Sequence, residues 1–370
     1  MPRLNLSPTF SFISSLGTAP LRPFHTLVRT TEERFRPAQI SAHRPHVAAA
    51  QAALFETSPR ATIGRAQILR EPGSGKIPTI VLGGLVPDST EQVFLLRRSL
   101  LKSGDLYYIN YAREGFSLDL ICAQLTDLVA ELLGAGQAPV LFGVSFGAGL
   151  VLEWLRRARS RGVEPILAGV VLISPVTCVA DLVPPGATKP STLIGRALKP
   201  LLGEEGEVAA SAVERSRTVF LRLFEAGTQN KHALSTLMTA AESRRLKSAV
   251  METIRGLTPA GARQRVRALA EMSAPTEYFS PQFLPLSPAP TLVLFAECED
   301  AVLDERAPSL LAFERAHRAY FSHGEVRRVR SRWGKSPVQH ASLIFHVYDF
   351  LPPLLAFYQN IRRRGLALAA

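Results

Sequence analysis

The most apolar stretch of the chain, residues 138–155, restricts the possible folds because three glycines interrupt it and a glutamate lies near its end. Such a stretch is a poor candidate for one membrane-spanning helix of about 20 residues. A buried strand over 140–144, a sharp turn and a helix over 148–159 explain the pattern better. We therefore predict an α/β protein with no integral membrane span.

The segments around this stretch alternate between strand and helix patterns. Compact, β-branched runs predict further buried strands, and apolar residues at helical spacing predict the helices between them. The predicted strands are 66–70, 78–82, 106–111 and 169–174, and the predicted helices are 89–102 and 118–134. This alternation is typical of a mostly parallel central sheet covered by helices on both faces.

The alternation stops after residue 176 and resumes near residue 289. The helical patterns in between cover 191–202, 208–225, 232–254 and 259–272. The later elements are strands over 291–295 and 325–329 and helices over 307–320 and 341–357. We predict one α/β core, formed by residues 61–176 and 289–360, with a helical cap inserted at 177–288.

The two ends of the chain lie outside this predicted core. Residues 1–60 have weak patterns, few acidic residues and one short helical stretch over 46–55. We expect a partly disordered N-terminal extension that serves as an arm or a targeting segment. It lacks the continuous apolar core of a secretory signal, and a transit peptide stays open as an interpretation. Residues 361–370 are expected to form a basic C-terminal tail.

The net charge of +12 raises the question of a nucleic-acid partner. Only seven of the 43 basic residues are Lys, and the arginines are spread along the chain without a nucleic-acid-binding motif. We interpret them as solvated faces and predict no nucleic-acid partner. Three cysteines at no disulfide or metal-ligand spacing favour a reducing compartment, and we expect a cytoplasmic protein in which Cys298 is a packing residue.

The turn after the predicted strand 140–144 carries a serine with a glycine two residues away on each side: Gly143, Ser145 and Gly147. The glycines allow the strand and the helix to approach closely, and the serine oxygen then stands at the helix N-terminus. This turn resembles the nucleophile elbow of the α/β-hydrolase superfamily. The resemblance covers roughly residues 61–360 and implies an α/β-hydrolase fold with Ser145 as nucleophile, the alternative being a structural turn serine.

The resemblance also implies two backbone N–H donors that would hold an oxyanion. One is expected at Phe146, directly after the serine. The other is expected in the loop after strand 78–82, where Leu85 is the first candidate and Gly84 the second. Relatives often have His-Gly in this loop, and the Gly-Gly pair found here leaves the backbone role unchanged.

An acid and a histidine are expected after the serine in chain order. His340, in a loop directly before an apolar helix, is the candidate base, and His346 is the second candidate. The register of the acidic segment after strand 291–295 is ambiguous. The candidates for the acid, in order of preference, are Asp300, Glu299 and Asp181.

Together these residues imply a serine hydrolase, most simply a carboxylic-ester hydrolase of the esterase or lipase type that needs no metal or other cofactor. Acyl transfer, thioester hydrolysis and non-catalytic ligand binding by the same pocket stay open, as does a homo-oligomer. We expect the cap to cover Ser145 and to form, with Phe220 and Phe224, an apolar pocket for a small-molecule acyl ester. The apolar cap residues expected to be buried against each other and the mouth of the site are Leu221, Leu223, Phe224, Leu234, Leu237 and Met238.

Overall fold

Eight strands form one sheet in a computed structural model that describes residues 38–58, 64–186, 189–203, 210–228, 238–278, 280–331 and 336–369. The strands are β1 (Ser41–Ala42), β2 (Gln67–Glu71), β3 (Thr79–Leu82), β4 (Leu106–Asn110), β5 (Val140–Val144), β6 (Gly169–Ile173), β7 (Thr291–Ala296) and β8 (Gly324–Val329). Their order in the sheet is β1-β2-β4-β3-β5-β6-β7-β8. β2 is antiparallel to both β1 and β4, and every other pair is parallel, as the alternating pattern predicts.

The described helices are α1 (Ala49–Thr57), α2 (Ser89–Gln92), α3 (Arg97–Leu101), α4 (Leu118–Gly134), α5 (Phe146–Ser160), α6 (Leu193–Leu198), α7 (Ala210–Thr228), α8 (Ala240–Gly256), α9 (Pro259–Glu271), α10 (Pro308–Tyr320) and α11 (Val347–Ala369). Short 3₁₀ helices occur at Val179–Asp181, Lys199–Leu201 and Pro275–Tyr278. None of the helices within the described ranges combines the length and apolar character needed to cross a membrane.

The central strands are buried on both faces, which explains their continuous apolar sequence. Successive side chains of β3 enter two different cores: Ile80 and Leu82 pack in one, and Val81 packs in the other. The first core contains apolar residues of α4, α5 and α10, and the second contains residues of α3 and α11. The sheet is therefore covered by helices on both faces, as predicted.

Two predicted helices differ from the structure. The segment 89–102 forms the two short helices α2 and α3, separated by a turn at residues 93–96. The helix predicted over 341–357 begins at Val347 and continues to Ala369, through most of the predicted C-terminal tail. Ala341 has a φ of +49°, which no right-handed α-helical residue adopts, so it cannot belong to the helix.

The chain between β6 and β7 is helical in its described parts, with α6, α7, α8 and α9 in succession. Local sequence fixes where three of these helices begin. Thr192 and Thr258 accept hydrogen bonds from N–H groups of the first turns of α6 and α9, and Thr239 forms a capping box with Glu242 at the start of α8. We call this region, residues 177–288, the cap. Leu234 and Leu237 lie outside the described residues.

The predicted N-terminal extension is docked on the core in its described part, residues 38–58. The buried carboxylate of Asp127 on α4 accepts hydrogen bonds from Ala50 N–H (2.8 Å), from Gln51 N–H (3.1 Å) and from the Gln51 side-chain amide (2.8 Å). The first two are free N–H groups of the first turn of α1. A residue 76 positions away thus supplies the N-terminal cap that the local sequence around Ala48 lacks.

We predict that Asp127→Ala lowers the free energy of unfolding by about 1–3 kcal/mol, because it leaves two buried donors of Gln51 and the part-buried Ala50 N–H without an acceptor. The same change should make residues 38–58 more accessible to proteases. Urea unfolding and limited proteolysis measure these effects. Asp119→Ala, on the exposed side of the same helix, is the control and should cost less than about 1 kcal/mol. Equal losses in both variants would contradict the docking described above.

Candidate active site

The parallel strands bring the predicted site residues to one edge of the sheet. The loops that follow β3, β5, β6, β7 and β8 all leave the sheet at this edge, because parallel strands end on the same side. These loops contain, respectively, Leu85, Ser145, Ser174, Glu299 and His340. Chain topology alone therefore makes this edge the meeting place of residues that are up to 255 positions apart in sequence.

Ser145 occupies a sharp turn between β5 and α5 with φ +51° and ψ −115°. The flanking glycines make this turn possible. A Cβ atom on Gly147 would lie 2.2 Å from the Leu82 carbonyl oxygen, and one on Gly143 would lie 2.5 Å from Ala148 Cα. Both distances are far below van der Waals contact, so the predicted Gly-x-Ser-x-Gly pattern matches a steric requirement of the strand–helix junction.

The side chains of Ser145, His340 and Glu299 form a continuous chain of hydrogen bonds. Ser145 Oγ lies 2.9 Å from His340 Nε2, and His340 Nδ1 is hydrogen-bonded to Glu299 Oε2. The His340 and Glu299 side chains are only 8% and 5% exposed. When Nδ1 donates its proton to the carboxylate, Nε2 is left as an acceptor for the serine hydroxyl, which is the arrangement that activates a serine nucleophile.

Glu299, and not Asp300, is the carboxylate that contacts His340, so the first-choice acid from the sequence does not occupy the predicted position. Two donors turn Glu299 inward: Ser174 Oγ at 2.7 Å and the Ala296 N–H at 2.6 Å, both to Oε1. Asp300, the next residue, is exposed. The third candidate, Asp181, is buried but accepts hydrogen bonds from the backbone of Thr177, Cys178 and Ser309.

A short parallel bridge sets the register between the acid and the histidine. Cys298 pairs with Gln339, and the Cys298 N–H donates to the Val338 carbonyl at 2.9 Å. Glu299 and His340 are the next residues on the two paired segments. Their side chains therefore leave the bridge on the same side, which explains why Glu299 reaches the imidazole and its neighbour Asp300 does not.

The second-choice base, His346, is directed elsewhere. Its Nδ1 lies 3.0 Å from Ser342 Oγ, and burial lowers its pKa. Cys298 has a raised pKa because of burial and of the nearby negative charges of Asp300, Glu297 and Glu299. The thiol is thus not activated as a nucleophile, in line with its predicted packing role.

The N–H groups of Leu85 and Phe146, the first-choice oxyanion donors, differ in hydrogen bonding from the N–H of Gly84, the second choice. The Gly84 N–H donates to Gln92 Oε1 at 3.0 Å and is therefore occupied. Within the described part of the chain, neither the Leu85 N–H nor the Phe146 N–H donates a hydrogen bond. Gly84 lies against the serine, since a Cβ atom added to it would be 3.5 Å from Ser145 Cβ. Leu85 N–H and Phe146 N–H therefore have no acceptor among the described residues, in contrast to Gly84 N–H.

An apolar pocket separates the cap from the loop after β3. Most of its lining residues are aliphatic or aromatic, with Ser216, Arg217 and Arg265 as the polar members. The lining residues are Leu85, Val86, Leu198, Leu201, Val213, Ser216, Arg217, Phe220, Ile254, Leu257, Ala262, Arg265 and Val266. Ser145 and His340 do not line the pocket, but Leu85, the residue after Gly84, does.

Phe220 and Phe224 of the cap pack against the same apolar cluster, and they differ in their relation to the pocket. Phe220 lines the pocket, as expected. Phe224 packs instead on Phe345 with ring centroids 5.4 Å apart. It belongs to an apolar cluster in which Met238 and Ile254 of the cap meet residues just after His340. The cap therefore contacts loops on both sides of Ser145.

Several residues of the site were missed by the sequence analysis. Ser174 orients Glu299 and also accepts a hydrogen bond from the Ala341 N–H at 3.2 Å, next to His340. Its only sequence signal is its place directly after a predicted buried strand. Gln92 and Arg265 gave no sequence signal, because each is hydrogen-bonded to the backbone of the loop after β3 and lies outside that loop.

Comparison with solved structures assigns the fold. Similar chains include an esterase from Rhodococcus sp. ECU1013 (15% identity, TM-score 0.50, covering 80% of this chain and 96% of that one). An epoxide hydrolase from Bacillus megaterium has 10% identity and a TM-score of 0.53, with 80% and 97% covered. A membrane phospholipase A, described as a bacterial virulence factor, has 13% identity and a TM-score of 0.53, with 97% and 98% covered. Neither a protein-family model nor a curated protein sequence matches the chain. The chain has the α/β-hydrolase fold, as the sequence predicts.

We predict that Gly147→Ala lowers the free energy of unfolding by about 3 kcal/mol or more, because the added methyl group would collide with backbone oxygen atoms that cannot move away. Gly134→Ala is the matched control. No atom lies within 4 Å of a Cβ at this end of α4, so the change should be neutral or stabilising by up to about 1 kcal/mol. Denaturant unfolding of both variants measures the difference, and a well-tolerated Gly147→Ala would refute the steric argument for the turn.

Proposed function

We propose that the protein is a serine hydrolase that cleaves carboxylic esters through an acyl-enzyme. The hydrogen-bonded chain Ser145–His340–Glu299, with Ser145 on a strained turn beside two free N–H groups, carries this proposal. The fold supports it, since similar structures include esterases and a phospholipase A. The acid in the proposed triad is Glu299, in place of the Asp300 favoured by the sequence.

Each residue has a separate role in the proposed reaction. Ser145 Oγ attacks the acyl carbonyl carbon while His340 Nε2 accepts the hydroxyl proton. The carbonyl oxygen becomes an oxyanion and accepts hydrogen bonds from the N–H groups of Leu85 and Phe146. His340 then donates its proton to the leaving alcohol oxygen. A water molecule deprotonated by His340 attacks the acyl-enzyme and releases the acid and the free serine.

Glu299 keeps His340 in the productive state during this cycle. Its carboxylate accepts the Nδ1 proton and stabilises the imidazolium that forms when Nε2 is protonated. The two hydrogen bonds from Ser174 Oγ and the Ala296 N–H fix Oε1, so Oε2 is directed at the imidazole. Glu299 is buried, and its charge therefore acts on His340 with little screening by solvent.

The apolar pocket next to Leu85 suggests which esters react. Its aliphatic and aromatic lining would bury a hydrocarbon group of the substrate, with a gain of about 25 cal/mol for each Å² of apolar surface removed from water. We propose that the cap selects an apolar acyl or alcohol group by the size of this pocket.

A fluorophosphonate probe tests the proposal directly, because it reacts covalently with an activated serine. The wild-type protein should be labelled at Ser145, identified by mass spectrometry of the labelled peptide, and Ser145→Ala should not be labelled. An unlabelled, folded wild-type protein would favour a non-catalytic protein that binds a ligand in the same pocket.

We predict that Ser145→Ala and His340→Ala each lower kcat on an activated ester such as p-nitrophenyl butyrate by about 10³-fold or more, with a double variant scarcely worse than either. Glu299→Gln should lower kcat by about 10²- to 10⁴-fold, because Nδ1 loses its anionic acceptor.

Asp300→Asn is the control for the acid and should change kcat less than about threefold, since its carboxylate is exposed and does not contact His340. Circular dichroism and thermal unfolding establish that each variant is folded. A severe loss in Asp300→Asn with a mild effect of Glu299→Gln would show that Asp300 is the acid after all.

We predict that Phe220→Ala shifts the preferred acyl chain of a p-nitrophenyl ester series towards longer chains, because it enlarges the pocket at Phe220. The rate on the acetate ester should change much less. Phe224→Ala removes a similar ring from the same helix outside the pocket lining, and it should leave the chain-length profile unchanged. The measurement is kcat/KM as a function of acyl chain length for both variants and the wild type. Identical profiles for Phe220→Ala and the wild type would exclude the pocket as the selective element.

A further inference from the structure

Arg265 of the cap is a buried cation whose hydrogen bonds all go to backbone carbonyl groups of the core. It lies on α9 and is 2% exposed. Its Nη1 donates to the Leu85 carbonyl, and its Nη2 donates to the carbonyls of Tyr111 (3.2 Å) and Ala112 (3.0 Å). Among the described residues no carboxylate lies within ion-pair distance of it, and Nε has no hydrogen-bond partner. Burial lowers its pKa to about 10, so it remains charged at neutral pH.

The nearby carboxylate of Asp88 raises the pKa of Arg265 against this effect of burial, but a fully buried arginine with no carboxylate within ion-pair distance is costly and therefore uncommon. One of the three carbonyl groups that Arg265 binds belongs to Leu85. The N–H of Leu85 is one of the two oxyanion donors of the proposed reaction. Three side chains each form a hydrogen bond with one of the peptide groups around that N–H. The Tyr111 hydroxyl donates to the Gly83 carbonyl at 2.8 Å, Gln92 accepts from the Gly84 N–H, and Arg265 holds the Leu85 carbonyl.

The three fixing groups come from different parts of the chain. Gln92 lies on α2 and Tyr111 directly after β4, both in the α/β core, whereas Arg265 comes from the cap. Without Arg265, the loop would keep its hydrogen bonds at Gly83 and Gly84 and a long one from Gln92 Nε2 to the Val86 carbonyl (3.5 Å), but the Leu85 carbonyl would lose its donor. The direction of the Leu85 N–H depends on the peptide groups on both sides, so the cap fixes one of the two ends.

Tyr111 links Arg265 to the other oxyanion donor as well. The Arg265 guanidinium carbon lies 5.4 Å from the Tyr111 ring centroid, which is a cation–π distance. The Tyr111 ring in turn meets the Phe146 ring edge-on, with centroids 6.0 Å apart. Arg265 therefore binds the Leu85 backbone directly and packs on Tyr111, which in turn packs on Phe146.

We propose that Arg265 is a positioning residue that holds the Leu85 N–H in place for the oxyanion, so that the cap completes the catalytic site in addition to covering it. This inference rests on the proposed hydrolase function. An oxyanion donor acts only in the transition state, and a displacement of about 1 Å can cost about 10²-fold in rate. Loss of Arg265 should therefore lower kcat and leave KM nearly unchanged.

The test compares Arg265→Met and Arg265→Lys with Arg113→Met. Arg113 is a suitable control because it also joins the core to the cap, through Asp88 (3.4 Å) and Thr253 (3.1 Å), and among the described residues its side chain forms no hydrogen bond with the backbone of residues 83–87. Arg265→Met should lower kcat on p-nitrophenyl butyrate about 10²-fold with KM changed less than about threefold. Arg265→Lys, which keeps a charged donor, should retain more of the rate, and Arg113→Met should retain nearly all of it.

Two further measurements separate positioning from general damage. The affinity for a trifluoromethyl ketone inhibitor, which forms a tetrahedral adduct with an oxyanion, should fall in proportion to kcat/KM. Fluorophosphonate titration should still count one reactive Ser145 per chain. A raised KM with unchanged kcat would overturn the proposal, because Arg265 would then serve substrate binding. Equal losses of kcat in Arg265→Met and Arg113→Met would overturn it too, because both would report only cap docking.

Hydrogen exchange tests the positioning without relying on hydrolysis. Amide exchange in residues 83–87 should be faster in Arg265→Met than in the wild type and unchanged in Arg113→Met. If the wild type neither hydrolyses esters nor reacts with the probe, the hydrolase proposal fails, while faster exchange in Arg265→Met still supports the fixing of the Leu85 backbone. Unchanged exchange in Arg265→Met and Arg265→Lys would overturn the positioning role itself.

Discussion

The strained backbone at the carboxyl edge of the sheet is the constraint on which the candidate site depends. Ser145, Ser174 and Ala341 are the described non-glycine residues with positive φ, and all three belong to the site. Such conformations cost about 1–3 kcal/mol each and persist only where the surrounding structure enforces them. Ser145 follows β5, Ser174 follows β6, and Ala341 lies beside the bridge next to His340. The sheet that carries them lies between two large apolar cores. The rigid sheet therefore maintains a local geometry that the loops alone would not adopt.

The contrast between Glu299 and Asp300 shows where prediction from the sequence ends. Strands and helices of the core have strong periodic patterns, and Ser145 and His340 are signalled by their positions beside such elements. Which of two adjacent carboxylates turns inward is decided by the pairing of Cys298 with Gln339 and by a hydrogen bond from Ser174, 125 residues away. No local pattern contains that information, because the deciding groups meet only in the folded chain.

Long-range polar contacts account for the other differences as well. Asp127 caps α1 from a distant helix, so a segment that resembles an arm in sequence is docked on the core. Arg265 and Gln92 fix a loop whose own sequence, Gly-Gly-Leu-Val-Pro, predicts only a turn. In each case a backbone group obtains its partner from a side chain that its neighbours in sequence do not reveal, because most buried N–H and carbonyl groups are hydrogen-bonded somewhere in the fold.

The charges at the site are arranged on two sides of the serine. Glu299 is a buried anion next to His340, and Arg265 is a buried cation next to Leu85. In the proposed reaction, positive charge develops on His340 and negative charge develops on the carbonyl oxygen between Leu85 and Phe146. Glu299 would stabilise the developing imidazolium directly, whereas Arg265 would act on the oxyanion through the Leu85 backbone that it holds. Because Arg265 lies on the cap, the proposed positioning role couples the docking of the cap to the stabilisation of the transition state.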